Sequence, residues 1–136
     1  MTSKEYFCHC LCGQVQFSIG EEVRDLCCCH CESCRRAVGG PFVAWGTVDL
    51  VNFNIVKGKI VLVNSSPNVE RGFCGNCGSS LTYKHTSRNT EIDFTLASLN
   101  GSTTLAPHSH IWVQDKLPWV KIADGLPQYE TTNRSK

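Results

Sequence analysis

Along much of the chain, apolar and polar residues alternate with a period of two, the spacing of a half-buried strand. Gln14-Val15-Gln16-Phe17-Ser18-Ile19 is the clearest case, and Glu91-Ile92-Asp93-Phe94-Thr95-Leu96 repeats it. Pro41-Phe42-Val43-Ala44-Trp45-Gly46-Thr47-Val48 follows a Gly-Gly breaker and is rich in β-branched and aromatic residues. Phe53 to Val56, Lys57-Gly58 and Lys59 to Val63 read as strand, tight turn, strand. Ile111-Trp112-Val113 is a further strand candidate. Helical spacing shows only from about Ser33 to Val38. The pattern predicts an all-β fold with one short helix at most and a modest core. Leu117-Pro118-Trp119 and Asp124-Gly125-Leu126-Pro127 interrupt the C-terminal arm. Proline cannot donate to a central ladder, so this arm should wrap the sheet as a strap.

The chain has 136 residues, a length typical of one domain. No repeat, low-complexity tract or linker divides it, so residues 1–136 are expected to form a single domain. With 41% hydrophobic and 18% charged residues it is not a disordered tail. Lys plus Arg number 13 against 12 Asp plus Glu, a formal charge of +1. The chain as a whole therefore carries no electrostatic footprint for nucleic acid or an anionic membrane. No run approaches the roughly 18 apolar residues of a membrane span. The start, Met1-Thr2-Ser3-Lys4-Glu5, has no apolar segment of the secretory kind. The expectation is a cytoplasmic protein with neither a nucleic-acid nor a membrane partner.

Cysteine changes that picture, with ten in the chain. In a reducing compartment, tightly grouped cysteines point to metal rather than to a disulfide framework. Cys8, Cys10 and Cys12 form one group, Cys27, Cys28, Cys29, Cys31 and Cys34 a second, and Cys74 and Cys77 a third. Cys74-Gly75-Asn76-Cys77-Gly78 is a knuckle whose two thiolates can face one ion, and a closed structural zinc site needs four ligands. Cys10-Leu11-Cys12-Gly13 can supply the other two, because alternate residues of an extended segment share a face. Cys8 fits the spacing as a substitute, but Cys12-Gly13 mirrors Cys77-Gly78 and favours Cys10 with Cys12. Metal crosslinks of this kind would add folding free energy to a small core.

Cys29-His30-Cys31-Glu32-Ser33-Cys34 places three thiols within six residues, the last on the first turn of the short helix. One segment of this kind can hold one side of a metal and leave a fourth position open, the pattern of a catalytic zinc. Cys27, Cys28, His30, His108 or His110 could instead close the site. Seven thiolates around two zinc ions would turn the formal charge negative. Arg35, Arg36 and Arg71 could offset that locally, Arg71 beside the knuckle into which it leads.

These residues carry a resemblance. Cys10-Leu11-Cys12-Gly13-Gln14-Val15-Gln16-Phe17, Cys29-His30-Cys31-Glu32-Ser33-Cys34-Arg35-Arg36 and Gly40-Pro41-Phe42-Val43-Ala44-Trp45 are its first pieces. Arg71-Gly72-Phe73-Cys74-Gly75-Asn76-Cys77-Gly78, His110-Ile111-Trp112-Val113 and Lys116-Leu117-Pro118-Trp119-Val120 complete it. From about residue 8 to 129 the chain resembles the glutathione-dependent formaldehyde-activating enzyme family, which also includes centromere-protein-V-like proteins. The resemblance implies a β-tent of twisted antiparallel sheets with two zinc ions per chain. It implies a structural zinc on Cys10, Cys12, Cys74 and Cys77 and a catalytic zinc on Cys29, Cys31 and Cys34; an open three-thiolate site is oxidation-prone, so the second zinc is the one expected to be lost on purification. Cys8, Cys27 and Cys28 fall outside the family's ligand pattern and read as additional thiols.

The activity the resemblance implies is formation of S-(hydroxymethyl)glutathione from glutathione and formaldehyde, a carbon–sulfur lyase reaction in reverse. The chemistry suits a three-thiolate zinc, whose electron-rich ligands make it a poor water activator and a soft match for a substrate thiol. Arg35 is a candidate for a substrate carboxylate, or for neutralising thiolate charge. Phe42, Trp45, Trp112 and Trp119 are candidates for a pocket wall or for plain core. His110 could contact a proton or a metal, and Glu32 could act as acid or base or remain a solvated carboxylate. The competing function is a non-catalytic, zinc-stabilised binding module of the centromere-protein-V-like type. The short tail Thr131-Thr132-Asn133-Arg134-Ser135-Lys136 adds only two charges, which favours the small-molecule enzyme.

Overall fold

A computed structural model describes residues 4–101 and 104–133. Arg134 to Lys136 of the tail lie outside the described residues. Among the described residues ten strands and one α-helix, with short 3-10 turns between them, follow in the order β1 (Glu5–His9), β2 (Gln16–Gly20), β3 (Arg24–Cys29), α1 (Glu32–Val38), β4 (Val43–Asp49), β5 (Phe53–Lys57), β6 (Val61–Ser66), β7 (Val69–Phe73), β8 (Ser80–His85), β9 (Glu91–Thr95) and β10 (Ser109–Ile111). The all-β reading with one short helix holds. The strands form a three-stranded sheet, β1-β2-β5, and a seven-stranded sheet, β10-β3-β4-β9-β8-β7-β6. Neighbours run antiparallel except β10, which lies parallel to β3.

The segment read as strand, tight turn, strand departs from a local hairpin. β5 pairs with β2 in the small sheet, whereas β6 pairs with β7 at the edge of the large one. The turn between them therefore joins two sheets. Gly58 makes this possible: its φ is +72°, and a Cβ there would lie 2.1 Å from the Gln14 carbonyl oxygen. β3 escaped the pattern reading because its run of three cysteines hides any alternation.

The two faces of β4 serve two apolar clusters. Val48 and Ala44 pack with Phe17, Ile19, Leu81 and Phe94 between the sheets. Val43 and Trp45 pack on the opposite face with Cys27, Cys29, Cys34 and Ile111. Period-two alternation thus sends one strand's side chains into both clusters. Cys8, Cys10 and Cys74 belong to the first cluster, so each core is organised around its own cysteine group.

The C-terminal arm runs along β10 as a strap. His110 N–H donates to the Pro127 carbonyl and Tyr129 N–H to the His110 carbonyl, both at 2.9 Å. Trp112 N–H donates to Thr131 at 2.9 Å and Val113 N–H to Tyr129 at 3.1 Å. The strap covers the β10 edge, which would otherwise present unpaired backbone groups. Among the described residues no helix is long and apolar enough to cross a membrane.

Candidate metal centres and their cleft

Cys10, Cys12, Cys74 and Cys77 come together from two turns of the same local design. In each, a glycine just after the second cysteine takes the left-handed conformation, Gly13 at φ +81° and Gly78 at φ +80°. Gly13 N–H donates to the Cys10 carbonyl at 3.1 Å, and Gly78 N–H donates to the Cys74 carbonyl at 2.8 Å. The turn also aims amides at sulfur: Val15 N–H reaches Cys10 Sγ at 3.3 Å and Cys77 N–H reaches Cys74 Sγ at 3.5 Å. Such donors favour the thiolate form that a metal requires.

The sulfurs fit zinc by distance. A tetrahedron with Zn–S near 2.3 Å has ligand sulfurs about 3.8 Å apart. Cys10 Sγ and Cys12 Sγ lie 3.6 Å apart, and Cys12 Sγ lies 3.8 Å from Cys74 Sγ. All four fall within 4.8 Å of one another, and Cys8 stands outside the set. The Ser79 hydroxyl and amide pull the Cys77 thiol down to about 5. Asn76 Nδ2 donates to Cys12 Sγ at 3.3 Å. Burial instead pushes the Cys8 thiol up to about 12 against an opposing Ser98 hydrogen bond, so Cys8 is a protonated core side chain.

Cys29, Cys31 and Cys34 form the second set, again within 4.8 Å. Cys29 ends β3, Cys31 is the N-cap of α1 and Cys34 sits on its first turn. The cap is made by sulfur, with Cys34 N–H donating to Cys31 Sγ at 3.4 Å. Hydrogen bonds from Cys29 and Cys34 bring the Cys31 thiol down to about 2. The same contacts with Cys31 and Cys34, then burial, push Cys29 upward. Three thiolates side by side, two of them buried, would repel one another without a cation, so the donor set suits a metal ion.

This set lines a cleft of about 220 Å³. Cys27 faces the same cleft, two residues before Cys29 on one strand face. Trp45, Tyr83, Ile111 and Trp112 supply apolar walls, and Ser33, His85, Ser87, Arg88, Asp93 and Thr132 supply polar ones. Arg88 is held rigidly, its guanidinium donating to Asp93 at 2.7 Å and to Glu91 at 2.8 Å. Trp112 has φ +57°, rare for a bulky residue, and its backbone is fixed by the strap.

Of the substrate residues expected from sequence, Trp45 lines the cleft and Arg35, Phe42 and His110 do not. Arg35 Nε donates to the His30 carbonyl at 3.3 Å, and its side chain borders a separate groove with Pro41, Leu117 and Trp119. Phe42 packs against His30 with the rings tilted by 38° and their centroids 5.0 Å apart. His110 is buried behind the Cys29–Cys34 loop, bonded to His30 at 2.9 Å and to Asp124 at 2.7 Å. Glu32 is a solvated partner of Arg36. Burial and then the charge of Asp124 raise Cys28 to about 11.

Arg71 moves furthest from its expected place. It does not compensate the knuckle: its Nη2 lies 3.8 Å from Cys34 Sγ of the other set. Strand register explains this, because Arg71 pairs across β7 and β8 with Tyr83, a wall of the cleft. Tyr83, Asp93 and Arg88 were missed as site residues, whereas Cys27, weighed from sequence as a residue that could close the second site, lines the cleft. For Cys27 the usable signal was the period of two through Cys29 to Cys31.

Residues 5–115 match the family model described as glutathione-dependent formaldehyde-activating enzyme. An uncharacterised lyase of Schizosaccharomyces pombe is 31% identical over 114 residues, covering 82% of this chain and 81% of that protein. A putative glutathione-dependent formaldehyde-activating enzyme of Talaromyces marneffei is 27% identical over 74 residues. One of Phaeosphaeria nodorum is 29% identical over 77 residues. Each of these two matches spans 40% of the relative's own length. A solved protein of Rhodobacter sphaeroides superposes with a TM-score of 0.60 at 24% identity, covering 74% of this chain and 97% of that one, and so shares the fold.

Proposed function

The chain belongs to the glutathione-dependent formaldehyde-activating enzyme family, and from that premise we propose that it is a carbon–sulfur lyase-type enzyme joining a small thiol to a small aldehyde. Glutathione and formaldehyde are the proposed pair, giving S-(hydroxymethyl)glutathione. The observation that carries this reading is the three-sulfur set on the wall of a 220 Å³ cleft. A broader groove of about 740 Å³ passes Cys10 and Cys77, but four sulfurs there already complete a tetrahedral set.

In this reading Cys10, Cys12, Cys74 and Cys77 hold a structural zinc and Cys29, Cys31 and Cys34 a catalytic one. Zinc on three thiolates supplies a soft fourth position that favours the ionised form of a substrate thiol. The chain's own residues do the rest. Trp45, Tyr83, Ile111 and Trp112 enclose the aldehyde and keep bulk water from it. The thiol sulfur attacks the carbonyl carbon, a C–S bond forms, the C=O π bond breaks, and the oxygen takes up a proton. Ser33, on the cleft wall with its hydroxyl 3.4 Å from Cys31 Sγ, is placed to pass the proton shed by the thiol. Residues 1–136 are proposed to work as one domain, since the strands of both sheets share one core cluster.

The test is zinc content of anaerobically purified protein, together with exchange spectroscopy on labelled formaldehyde and glutathione. Two zinc ions per chain and accelerated interconversion of free and adduct formaldehyde, both lost in part or whole in Cys31→Ser, are expected. A two-zinc protein that leaves the spontaneous exchange rate unchanged would overturn the catalytic reading.

A further inference from the structure

Three arginines of this protein make close side-chain contacts around the large sheet, and they differ in what balances them. Arg24 is paired with Asp49 and Glu91, and Arg88 with Asp93 and Glu91. Arg71 is buried more deeply, 9% exposed, yet among the described residues no carboxylate lies within ion-pair distance of it. Its contacts are the Ser65 hydroxyl at 3.2 Å, the face of the Tyr83 ring at 4.9 Å and Cys34 Sγ at 3.8 Å. A buried guanidinium that lacks a counter-charge is strongly unfavourable. Among the described residues, the contact that could carry a compensating negative charge is Cys34 of the cysteine set, once its thiol is ionised.

We propose that Arg71 is a positioning residue for the three-cysteine centre, supplying the buried positive charge that balances its net negative charge and holding Cys34 in place. The inference rests on the reading of Cys29, Cys31 and Cys34 as zinc ligands. A divalent ion on three thiolates has one negative charge in excess, and one arginine cancels it. Each group makes the burial of the other tolerable, so neither is independently stable in that position. Tyr83 fixes the geometry, because the cation–π stack across the β7–β8 pair holds the guanidinium plane while one Nη faces sulfur.

The placement also links the two centres. Arg71 lies on β7 three residues before Cys74, so the strand that delivers one knuckle ligand also delivers the counter-charge of the other centre. The four-cysteine set makes no such use of an arginine among the described residues; amides, Asn76 and Ser79 surround its sulfurs instead.

Arg71→Met and Arg71→Lys, loaded with zinc anaerobically and titrated with a chromophoric chelator, test this. In the unaltered protein two zinc ions should leave in separable phases. Partners just outside a ligand shell commonly change metal affinity by about 10–100-fold. Arg71→Met should weaken the more labile zinc by about that factor and leave the tighter zinc unchanged, whereas Arg71→Lys should restore most of the loss. Equal affinities in Arg71→Met and the unaltered protein would overturn the proposal while sparing the proposed function. So would weakening of both zinc ions together, which marks Arg71 as a general support of β7. Failure of lysine to restore binding would assign the effect to packing on Tyr83 rather than charge, and overturns it too. A single zinc in the unaltered protein would remove the proposed function and this inference with it.

Discussion

His30 Nε2 and His110 Nδ1 lie 2.9 Å apart in the interior, joining the cysteine loop that follows β3 to β10. His110 Nε2 continues the chain to Asp124 on the strap at 2.7 Å. A carboxylate only accepts, so His110 donates to it from Nε2, which leaves His110 Nδ1 to share the buried contact with His30 Nε2. Both histidines are buried, and burial, then neighbouring His110, Lys116 and Arg35, pushes His30 down to about 4. His110→Phe should leave the buried His30 Nε2 without its hydrogen-bond partner and lower stability by about 1–3 kcal/mol. The expected result is a lower denaturation midpoint with both zinc ions retained. Loss of the labile zinc would instead give His110 a direct part in the metal centre.

The outer end of this chain is acid-sensitive. The His110 bond, then the Leu126 amide, holds the Asp124 carboxyl below its ordinary range. A folded value below the unfolded one stabilises the fold above the ordinary carboxylate range. That contribution disappears as pH falls through the lowered folded value. Protection of the Tyr129 amide, corrected for intrinsic exchange, should therefore drop in that acidic window. In Asp124→Asn, which has no charge to titrate, protection should stay level there. Parallel curves for the two proteins would show that another contact secures the strap.

The two cysteine sets should fail differently. Cys74 is buried in the core cluster between the sheets, so Cys74→Ser should impair folding as well as metal binding. Cys31 is a partly exposed cap on a one-sided site, so Cys31→Ser should give a folded domain with one zinc fewer. Circular dichroism melting with zinc analysis separates these outcomes. Equal unfolding of both variants would reverse the assignment of the structural site.

Gly58→Ala tests the turn that carries the chain from one sheet to the other. The added methyl would lie 2.1 Å from the Gln14 carbonyl oxygen, on a backbone at φ +72°. Left-handed strain in a non-glycine residue costs about 1–3 kcal/mol before any overlap is counted. The urea midpoint should fall accordingly, and an unchanged midpoint would contradict the close approach of this turn to Gln14.

Much of the site was legible because its parts are local. Cys10-Leu11-Cys12-Gly13 and Cys74-Gly75-Asn76-Cys77-Gly78 each encode a turn within five residues, and the matching glycines declare its left-handed step. The Cys29 to Cys34 segment is compact for the same reason, a strand end and a helix cap meeting within six residues. Phe17 with Ile19 and Ile92 with Phe94 showed their strands through alternation alone. Arg71 was legible as a compensating cation but not as to its partner, because Cys34 is 37 positions away.

The sequence by itself determined the all-β character, the short helix and the cysteine groups from which the two sets are drawn, because turn geometry and side-chain period act over a few residues; tertiary structure then left Cys8, Cys27 and Cys28 outside the sets. Tertiary structure decided which sheet each strand joined, sending β5 and β6 apart across Gly58. It decided that Cys27, Tyr83 and Asp93 would face the cleft while His110 and Phe42 lie behind it. Those outcomes depend on strand pairing between distant segments, where register selects the face each side chain takes. A pattern of local propensities does not contain that register, since burying the whole core at once is what selects it.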